Sequence, residues 1–192
     1  MGKTIATITM SLDGYIAGPD VAENNPMGTN GEALHKWLFE GSQKEDKEIM
    51  QDLVSNSGAV ITGGRTYQIA IDGAWGSNSP FEAHAFVVSS KLLKVREGFT
   101  LVNDGIESAL AKAKKTAKEK DVWIMGGANV IQQYLNAGLV DEFHLSIAPI
   151  LLNSGTSLFI TNENRISNFE KIRAVNTKHA THLFLKPIMH NA

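Results

Sequence analysis

The sequence contains no cysteine in its 192 residues. This absence excludes disulfides, thiol nucleophiles, iron–sulfur clusters and zinc sites built on thiolates. It also fits the reducing cytoplasm, where we expect the protein to act. The histidines fall on separate predicted elements or on opposite faces of one strand. We therefore expect structural or surface roles for them, and no metal site.

A long apolar run and an excess of basic residues are also missing. No segment approaches the roughly 18 uninterrupted apolar residues of a spanning helix, and the first residues do not form a signal-peptide pattern. Lys and Arg total 18 against 20 Asp and Glu, which gives a net charge of -2. Such a chain has little charge to offer nucleic-acid phosphates. We expect neither a membrane nor a nucleic acid as partner.

The remaining composition is ordinary for a globular protein, with 43% hydrophobic and 20% charged residues. A chain of this length fits one domain, and no repeat or linker divides it. We therefore predict a single domain over residues 1–192.

Short apolar runs alternate with segments of helical periodicity along the chain. The predicted strands cover residues 3–11, 59–62, 83–89, 99–102, 121–125, 143–152, 169–175 and 182–186. The predicted helices cover residues 31–40, 44–55, 65–71, 106–120 and 129–137.

This alternation predicts an α/β fold of three layers. Right-handed crossovers from residue 59 to 150 favour a mostly parallel sheet with helices on both faces. The last two strands are joined by a short turn, so they are predicted to form an antiparallel hairpin and to make the sheet mixed.

Three predicted strands end in glycine- or serine-rich junctions. In open α/β sheets, ligands lie beyond the carboxyl ends of the parallel strands. Glycines there let the backbone approach a diphosphate, and free N–H groups at a helix start attract anions. The junctions are Gly63-Gly64-Arg65-Thr66, Ser89-Ser90-Lys91 and Gly126-Gly127-Ala128-Asn129-Val130.

Each junction also has an interpretation without a ligand. Gly126-Gly127 is then a tight turn, Arg65 a solvated surface charge, and Ser89-Ser90 a strand end followed by a helix cap. Three such junctions in one sheet together favour a nucleotide with more than one phosphate group.

Five segments follow one another in a specific order: Met10–Ala17, Gly64–Tyr67, Val87–Ser90, Met125–Ile131 and Asp141–Pro149. Their order and spacing resemble the dihydrofolate reductase-like superfamily over nearly the whole chain. Within it, the sequence is most similar to the reductase domain of riboflavin biosynthesis, the RibD C-terminal family.

This resemblance implies NADPH as the cofactor and a homodimer as the assembly. By position, it puts the nicotinamide near Thr9, Ile16 and Ala17, and the diphosphate at Gly126, Gly127, Ala128 and Asn129. It puts the adenosine 2′-phosphate near Arg65, Ser89, Ser90 and Lys91. The other expected cofactor-binding residues are Gly63, Gly64, Thr66 and Val130.

The resemblance also implies a substrate pocket lined by Ser146 and by the helix face of Leu34, Trp37 and Leu38. Folate reductases carry an acid on this helix, and its absence here makes folate a less expected substrate than another flat ring. Trp37 either stacks on that ring or is a core residue. Arg65 is shifted by one position relative to the family's Gly-Arg-X-Thr-Tyr pattern.

Asp13 is the acid that the sequence places nearest to the expected nicotinamide. As a catalytic residue, it would orient a polar ring or relay a proton. The alternative is an ordinary turn residue before Gly14. No Ser–His–Asp order and no G-x-S-x-G elbow is visible.

The leading hypothesis is an NADPH-dependent reductase that transfers a hydride to a small flat heterocycle, pterin-like or pyrimidine-like. It would resemble 5-amino-6-(5-phosphoribosylamino)uracil reductase or dihydrofolate reductase. The alternative is a non-catalytic protein on the same fold that binds a nucleotide or heterocycle. For the homodimer, the apolar strand over 145–152 and the strand around Phe184 are candidate surfaces, unless they pack under the domain's own helices.

Overall fold

The computed structural model describes residues 2–159 and 168–188. Its helices are α1 (Lys36–Phe39), α2 (Lys44–Asn56), α3 (Gly64–Ala70), α4 (Ile106–Ala117) and α5 (Ala128–Asn136), with a 3-10 helix (Gly31–His35) before α1. The strands are β1 (Thr4–Ser11), β2 (Tyr15–Ala17), β3 (Ser57–Gly63), β4 (His84–Val88), β5 (Phe99–Val102), β6 (Asp121–Gly126), β7 (Glu142–Ala148), β8 (Thr156–Ser157), β9 (Asn168–Asn176) and β10 (Thr181–Ile188).

Eight strands form one sheet in the order β5-β4-β3-β6-β1-β7-β10-β9. The neighbours from β5 to β7 pair in parallel, whereas β10 runs antiparallel to both β7 and β9. The predicted mixed, mostly parallel sheet with an antiparallel C-terminal hairpin is therefore confirmed. That residues 1–192 form a single domain stays a prediction, and residues 1, 160–167 and 189–192 lie outside the described part.

The core lies on both faces of the sheet because side chains alternate along each strand. Ala59 and Ile61 of β3 face α4 and α5, whereas Val60 between them faces α2 and α3. Tyr134 of α5 is fully buried, and its hydroxyl donates to the Ile106 carbonyl at a distance of 2.7 Å. This bond satisfies the hydroxyl and ties the start of α4 to α5.

Several element boundaries differ from the predicted ones. The small antiparallel pair of β2 and β8 was not predicted, because two or three residues are too few to show a period. The strand predicted to end at Leu152 ends at Ala148, and Pro149, which has no N–H for the ladder, follows it. The helix predicted to end at Lys120 ends at Ala117, because Lys118 has a φ of 58°.

Two of the side chains offered as a dimer surface, Leu145 and Phe184, are buried within the chain, whereas Leu151 is 61% exposed. Leu145 is 6% exposed and Phe184 is 5% exposed. Arg173 of the edge strand β9 covers Phe184, with its guanidinium carbon 3.8 Å from the ring centroid. Neither Leu145 nor Phe184 is therefore available for contact with a second copy.

Among the described helices, none is both long enough and apolar enough to span a bilayer. Residues 2–159 and 168–188 also contain no group of three or more acidic, histidine or cysteine side chains that could hold a metal ion.

Candidate functional site

A cleft of about 1750 Å³ opens at the carboxyl ends of the parallel strands. One wall consists of the 3-10 helix, α1 and α2, and the opposite end consists of the strand-to-helix junctions. This is the position at which open α/β sheets bind ligands.

The cleft brings together most of the residues singled out in the sequence. Those that line it are Thr9, Ile16, Ala17, Trp37, Leu38, Gly63, Gly64, Arg65, Thr66, Ser89, Ser90, Lys91, Gly126, Gly127, Ala128, Asn129, Val130 and Ser146. Two predicted site residues, Asp13 and Leu34, are not part of its lining.

The glycines of the junctions allow neighbouring junctions to approach each other closely. A Cβ atom at Gly64 would lie 2.7 Å from the Ser89 Cβ, and one at Gly127 would lie 3.0 Å from the Thr66 Oγ1. Gly126 adopts a φ of 130°, which L residues rarely adopt. Glycine is thus required where the junctions meet, and backbone lines this end of the cleft.

The same end of the cleft is electropositive. Arg65 and Lys91 are exposed, and neither forms an ion pair with any other residue that the structure describes. Helix α5 begins after Gly127 without a side-chain cap, so its first N–H groups have no side-chain acceptor. The Ser89 hydroxyl accepts the Lys91 N–H at 3.0 Å, and residues 89–98 contain no helix, so the helix cap offered as the alternative for Ser89-Ser90 is not formed.

A row of polar side chains crosses the sheet at the other end of the cleft. Thr9 of β1 pairs with Ser146 of β7, which pairs with His182 of β10, so all three point to the same face. The Ser146 Oγ lies 2.8 Å from the His182 Nδ1, and the His182 Nε2 lies 2.8 Å from the Asp46 Oδ1. These four side chains are referred to below as the polar row.

Trp37 covers the polar row. Its indole N–H donates to the Thr9 Oγ1 at 3.2 Å, and its ring meets the His182 ring edge-on with centroids 4.9 Å apart. Trp37 is 5% exposed but still lines the cleft. It is therefore a core residue that also presents a surface to a ligand.

The polar row was missed in the sequence analysis, which found no Ser–His–Asp order. Asp46, Ser146 and His182 come from three distant segments, and α2, β7 and β10 meet only in the folded chain. The sequence carries only a weak signal for Asp46. It is the third residue of a helix that begins after Gln43, and an acid in the first turn of a helix is stabilising whether or not it has another role. The Asp46 carboxylate both caps the helix and binds His182, because its Oδ2 accepts the Gln43 N–H at 2.7 Å while its Oδ1 lies 2.8 Å from the His182 Nε2.

Asp13 lies outside the cleft, and this placement corrects the catalytic role expected for it. The carboxylate is exposed and accepts hydrogen bonds from the Ser11 hydroxyl and from the Leu152 and Asn153 N–H groups. These bonds, led by that of Ser11, hold the pKa of Asp13 below its ordinary value. Asp13 thus fastens the β1–β2 turn to the loop after β7.

Leu34 also departs from its expected role as a substrate-lining residue. It is 0% exposed and belongs to the buried core. The helix predicted over 31–40 begins as a 3-10 helix, whose tighter winding turns the side chains differently from an α-helix. Trp37 and Leu38 consequently reach the cleft, whereas Leu34 does not.

Two histidines beside the cleft are neutral at pH 7. Burial lowers the pKa of His35 to about 4. Burial also lowers the pKa of His144, although the hydrogen bond to Glu142 at 2.9 Å acts in the opposite direction. Neither side chain adds positive charge to the substrate end of the cleft.

The model of the RibD C-terminal domain family matches residues 3–183. This chain belongs to that family. The resemblance noted in the sequence is thereby confirmed. The matched residues include both helical layers, the whole lining of the cleft and the sheet up to the first residues of β10.

Two proteins of Bacillus subtilis strain 168 are similar to this RibD C-terminal domain. The uncharacterized protein YyaP is 44% identical over 77 residues, which are 40% of this chain and 38% of YyaP. The uncharacterized protein YwjB is 28% identical over 179 residues, which are 92% of this chain and 91% of YwjB. The aligned segment thus spans less than half of YyaP but nearly all of YwjB.

Solved structures share the fold. A candidate riboflavin biosynthesis protein from Shewanella sp. PV-4 has a TM-score of 0.75 at 22% identity, with 97% of this chain and 99% of that chain covered. A dihydrofolate reductase from Enterococcus faecalis, complexed with NADP(H) and RAB-propyl, has a TM-score of 0.65 at 15% identity, with 97% and 96% covered. The RibD C-terminal domain described here therefore has the dihydrofolate reductase-like fold.

Proposed function

We propose that this protein is an NADPH-dependent reductase that transfers a hydride to a small flat heterocycle, pterin-like or pyrimidine-like. Membership of the RibD C-terminal domain family supports a reductase-type function. The observation that carries the proposal is the single cleft, which has an electropositive backbone end and a polar, aromatic-covered end. A phosphate-bearing cofactor suits the first end, and a polar ring suits the second.

The residues present fit the cofactor. A Cβ at Gly64 would lie 2.7 Å from the Ser89 Cβ and one at Gly127 would be tight against the Thr66 Oγ1, so glycine leaves backbone N–H groups free to contact phosphate oxygens. The diphosphate would be held by the junction from Gly126 to Val130, and the 2′-phosphate by Arg65, Ser89, Ser90 and Lys91. Thr9, Ile16 and Ala17 would face the nicotinamide, which supplies the hydride when bound.

The substrate end favours a planar ring with polar edges. Trp37 and Leu38 offer apolar surface, whereas Thr9 and Ser146 offer hydroxyl groups. Hydroxyls donate and accept hydrogen bonds, so they can match ring N–H groups, ring nitrogens and carbonyls. Pterins and aminopyrimidines carry ring N–H groups, ring nitrogens and carbonyls at their edges.

The test is NADPH oxidation with a panel of heterocycles that includes dihydrofolate, a dihydropterin and a ribosylamino-pyrimidinedione. We expect loss of NADPH absorbance with at least one ring class, and tighter binding of NADPH than of NADH. NADPH binding without oxidation of any panel member would favour the non-catalytic binding protein. Failure to bind NADPH by titration would contradict the reductase itself.

A homodimer remains part of the proposal, together with a cytoplasmic location and with neither membrane nor nucleic acid as partner. Since Leu145 and Phe184 are buried, the candidates for contact are exposed apolar side chains such as Ile172 and Ile188 of the outer hairpin. Light scattering at micromolar concentration should give twice the chain mass of 20.8 kDa. A mass equal to one chain would reject a stable dimer.

A further inference from the structure

We propose that Asp46, His182 and Ser146 form a proton relay that delivers a proton to the substrate from the floor of the cleft. This inference rests on the proposed reductase function and names the residue that completes its chemistry. Hydride addition to a C=N bond leaves an electron pair on nitrogen, which must be protonated as it forms. A positioned donor typically contributes roughly 10²–10⁴-fold in rate to such a step.

The burial of the three residues gives the relay a direction. Asp46 is 1% exposed and His182 is 2% exposed, so neither has free access to solvent. Ser146 is partly exposed and lines the cleft. The chain of hydrogen bonds therefore begins at a buried carboxylate and ends at a hydroxyl that a ligand can touch.

Ser146 also has the right neighbour for this role. It pairs directly with Thr9 on the adjacent strand, and Thr9 lies where the proposed cofactor would present its nicotinamide. Directly opposed side chains on one face of a sheet lie roughly 5 Å apart at their Cβ atoms. A ring held over Thr9 thus has the Ser146 hydroxyl within reach.

The proton transfer balances when His182 starts as an imidazolium. Its Nε2–H donates to Asp46, and its Nδ1–H donates to the Ser146 Oγ. As hydride bonds to the ring carbon, the C=N π pair moves to nitrogen and takes the Ser146 Oγ proton. The Ser146 Oγ then receives the Nδ1 proton, and His182 ends neutral with its Nε2–H still on Asp46. A solvent proton reloads the relay through Ser146 once product has left.

A Ser–His–Asp chain also occurs in serine hydrolases, but the surroundings of Ser146 do not suit acyl transfer. Ser146 lies inside β7 and is paired on one side with β1 and on the other with β10. Its backbone belongs to the ladders of a central strand, so the N–H groups around it are not available as an oxyanion hole. Proton transfer needs no such hole.

Several ionisable side chains lie on the elements that contact β10. They are Lys36 on α1, Lys44, Glu45, Asp46, Lys47, Glu48 and Asp52 on α2, Glu142 and His144 on β7, and Glu170, Lys171 and Arg173 on β9. Within the described residues, only Asp46 and Ser146 form side-chain hydrogen bonds with His182. A pH dependence of kcat could arise from a histidine other than His182, so the experiment includes a variant of a second histidine as a control.

The decisive pair of variants is Ser146→Val and Ser146→Thr. The two side chains have the same shape, both suit a strand, and only threonine keeps the hydroxyl. With a reducible panel member, we expect Ser146→Val to lower kcat about 100-fold, while Ser146→Thr keeps most of the wild-type kcat and NADPH affinity stays unchanged in both. Equal kcat for the two variants would overturn the relay.

The pH profile supplies a second readout that a purely structural role would not move. Because the relay passes the proton through the Ser146 hydroxyl, the pH dependence of the wild-type kcat should change in Ser146→Val. His144→Asn, on the same strand two residues away, should retain it. A pH profile that is lost in His144→Asn but kept in Ser146→Val would overturn the assignment to His182.

Failure of the reductase proposal is distinguishable from failure of the relay. If no panel member is oxidised, imidazole nitrogen NMR of the whole protein tests the hydrogen-bonded chain directly. We expect the His182 Nδ1 signal to differ between Ser146→Val, which lacks the hydroxyl partner, and Ser146→Thr, which keeps it. Identical signals in the two variants would overturn the relay whatever the outcome with NADPH.

Discussion

The two ends of the cleft satisfy their polar groups in different ways. At the junction end, Arg65 and Lys91 are exposed and form no ion pair with residues 2–159 or 168–188, and the first N–H groups of α5 have no side-chain cap. At the other end, His182 has a partner on each ring nitrogen, and its carboxylate partner, Asp46, also holds the start of a helix.

Solvent explains the difference. Water can hydrate exposed cations and N–H groups until an anion replaces it, so these groups need no partner within the protein. Buried polar atoms have no such substitute, and each one left without a partner costs roughly 1–3 kcal/mol. The junction end is thus able to gain binding energy from a ligand, whereas the polar row contributes fixed geometry that is already present in the free protein.

Removal of the Asp46 side chain should have the largest effect, because it acts on the buried end. Asp46→Ala leaves the His182 ring without its acceptor and removes a helix cap, for an expected loss of about 3 kcal/mol in the free energy of unfolding. Urea denaturation measures this loss. Asp52→Ala, at an exposed position of the same helix, is the control and should stay within about 0.5 kcal/mol of wild type.

A loss below about 1 kcal/mol for Asp46→Ala would mean that the polar row does not depend on its carboxylate. The two ends of the cleft would then differ in solvent exposure but not in how much their hydrogen bonds contribute to stability.

Removal of the Arg65 charge should change ligand affinity rather than stability. A charge-assisted hydrogen bond to phosphate contributes roughly 1.5–3 kcal/mol, so Arg65→Ala should weaken NADPH binding at least about tenfold and leave NADH nearly unchanged. Titration with each nucleotide measures both affinities. An equal loss for NADPH and NADH would place the arginine near the diphosphate instead of the 2′-phosphate.

The acid sensitivity of the protein should come in part from His35, which lines the cleft. Its pKa is about 4 in the folded chain and near 6.5 in the unfolded chain, so the unfolded state binds the proton more readily. Stability should therefore fall as pH drops from 6.5 toward 4, by about 2 kcal/mol near pH 5. His35→Gln should flatten this fall in urea denaturation, whereas His84→Gln, at an exposed histidine, should not.

Asp13→Asn should have the smallest effect on activity, because Asp13 touches neither end of the cleft. We expect kcat and KM to change by less than about twofold, within the usual range of substitutions at exposed sites. The loss of stability should be confined to pH values above the ordinary carboxyl range, since a lowered pKa stabilises only the ionised form. A large drop in kcat with unchanged folding would restore Asp13 as a catalytic candidate.

The phosphate end could be predicted from the sequence because its signals are local. Gly63-Gly64, Ser89-Ser90 and Gly126-Gly127 each follow a recognisable buried strand, and the rule for parallel sheets places such strand ends on one edge. The substrate end could be predicted only in part. Trp37 and Ser146 were expected there, but Leu34 was misplaced because the 3-10 winding before α1 has no clear sequence signal.

The sequence by itself determined the class of fold, the parallel core and the junctions at the strand ends, since periodicity and turn residues act over a few neighbouring positions. Only the tertiary structure decided which polar side chains meet. Asp46 and His182 are separated by 136 residues, and each has an ordinary local explanation as a helix-capping acid or a strand histidine. They become one hydrogen-bonded unit because α2 packs over the face of the sheet where β7 and β10 pair, and burial there requires every polar atom to find a partner.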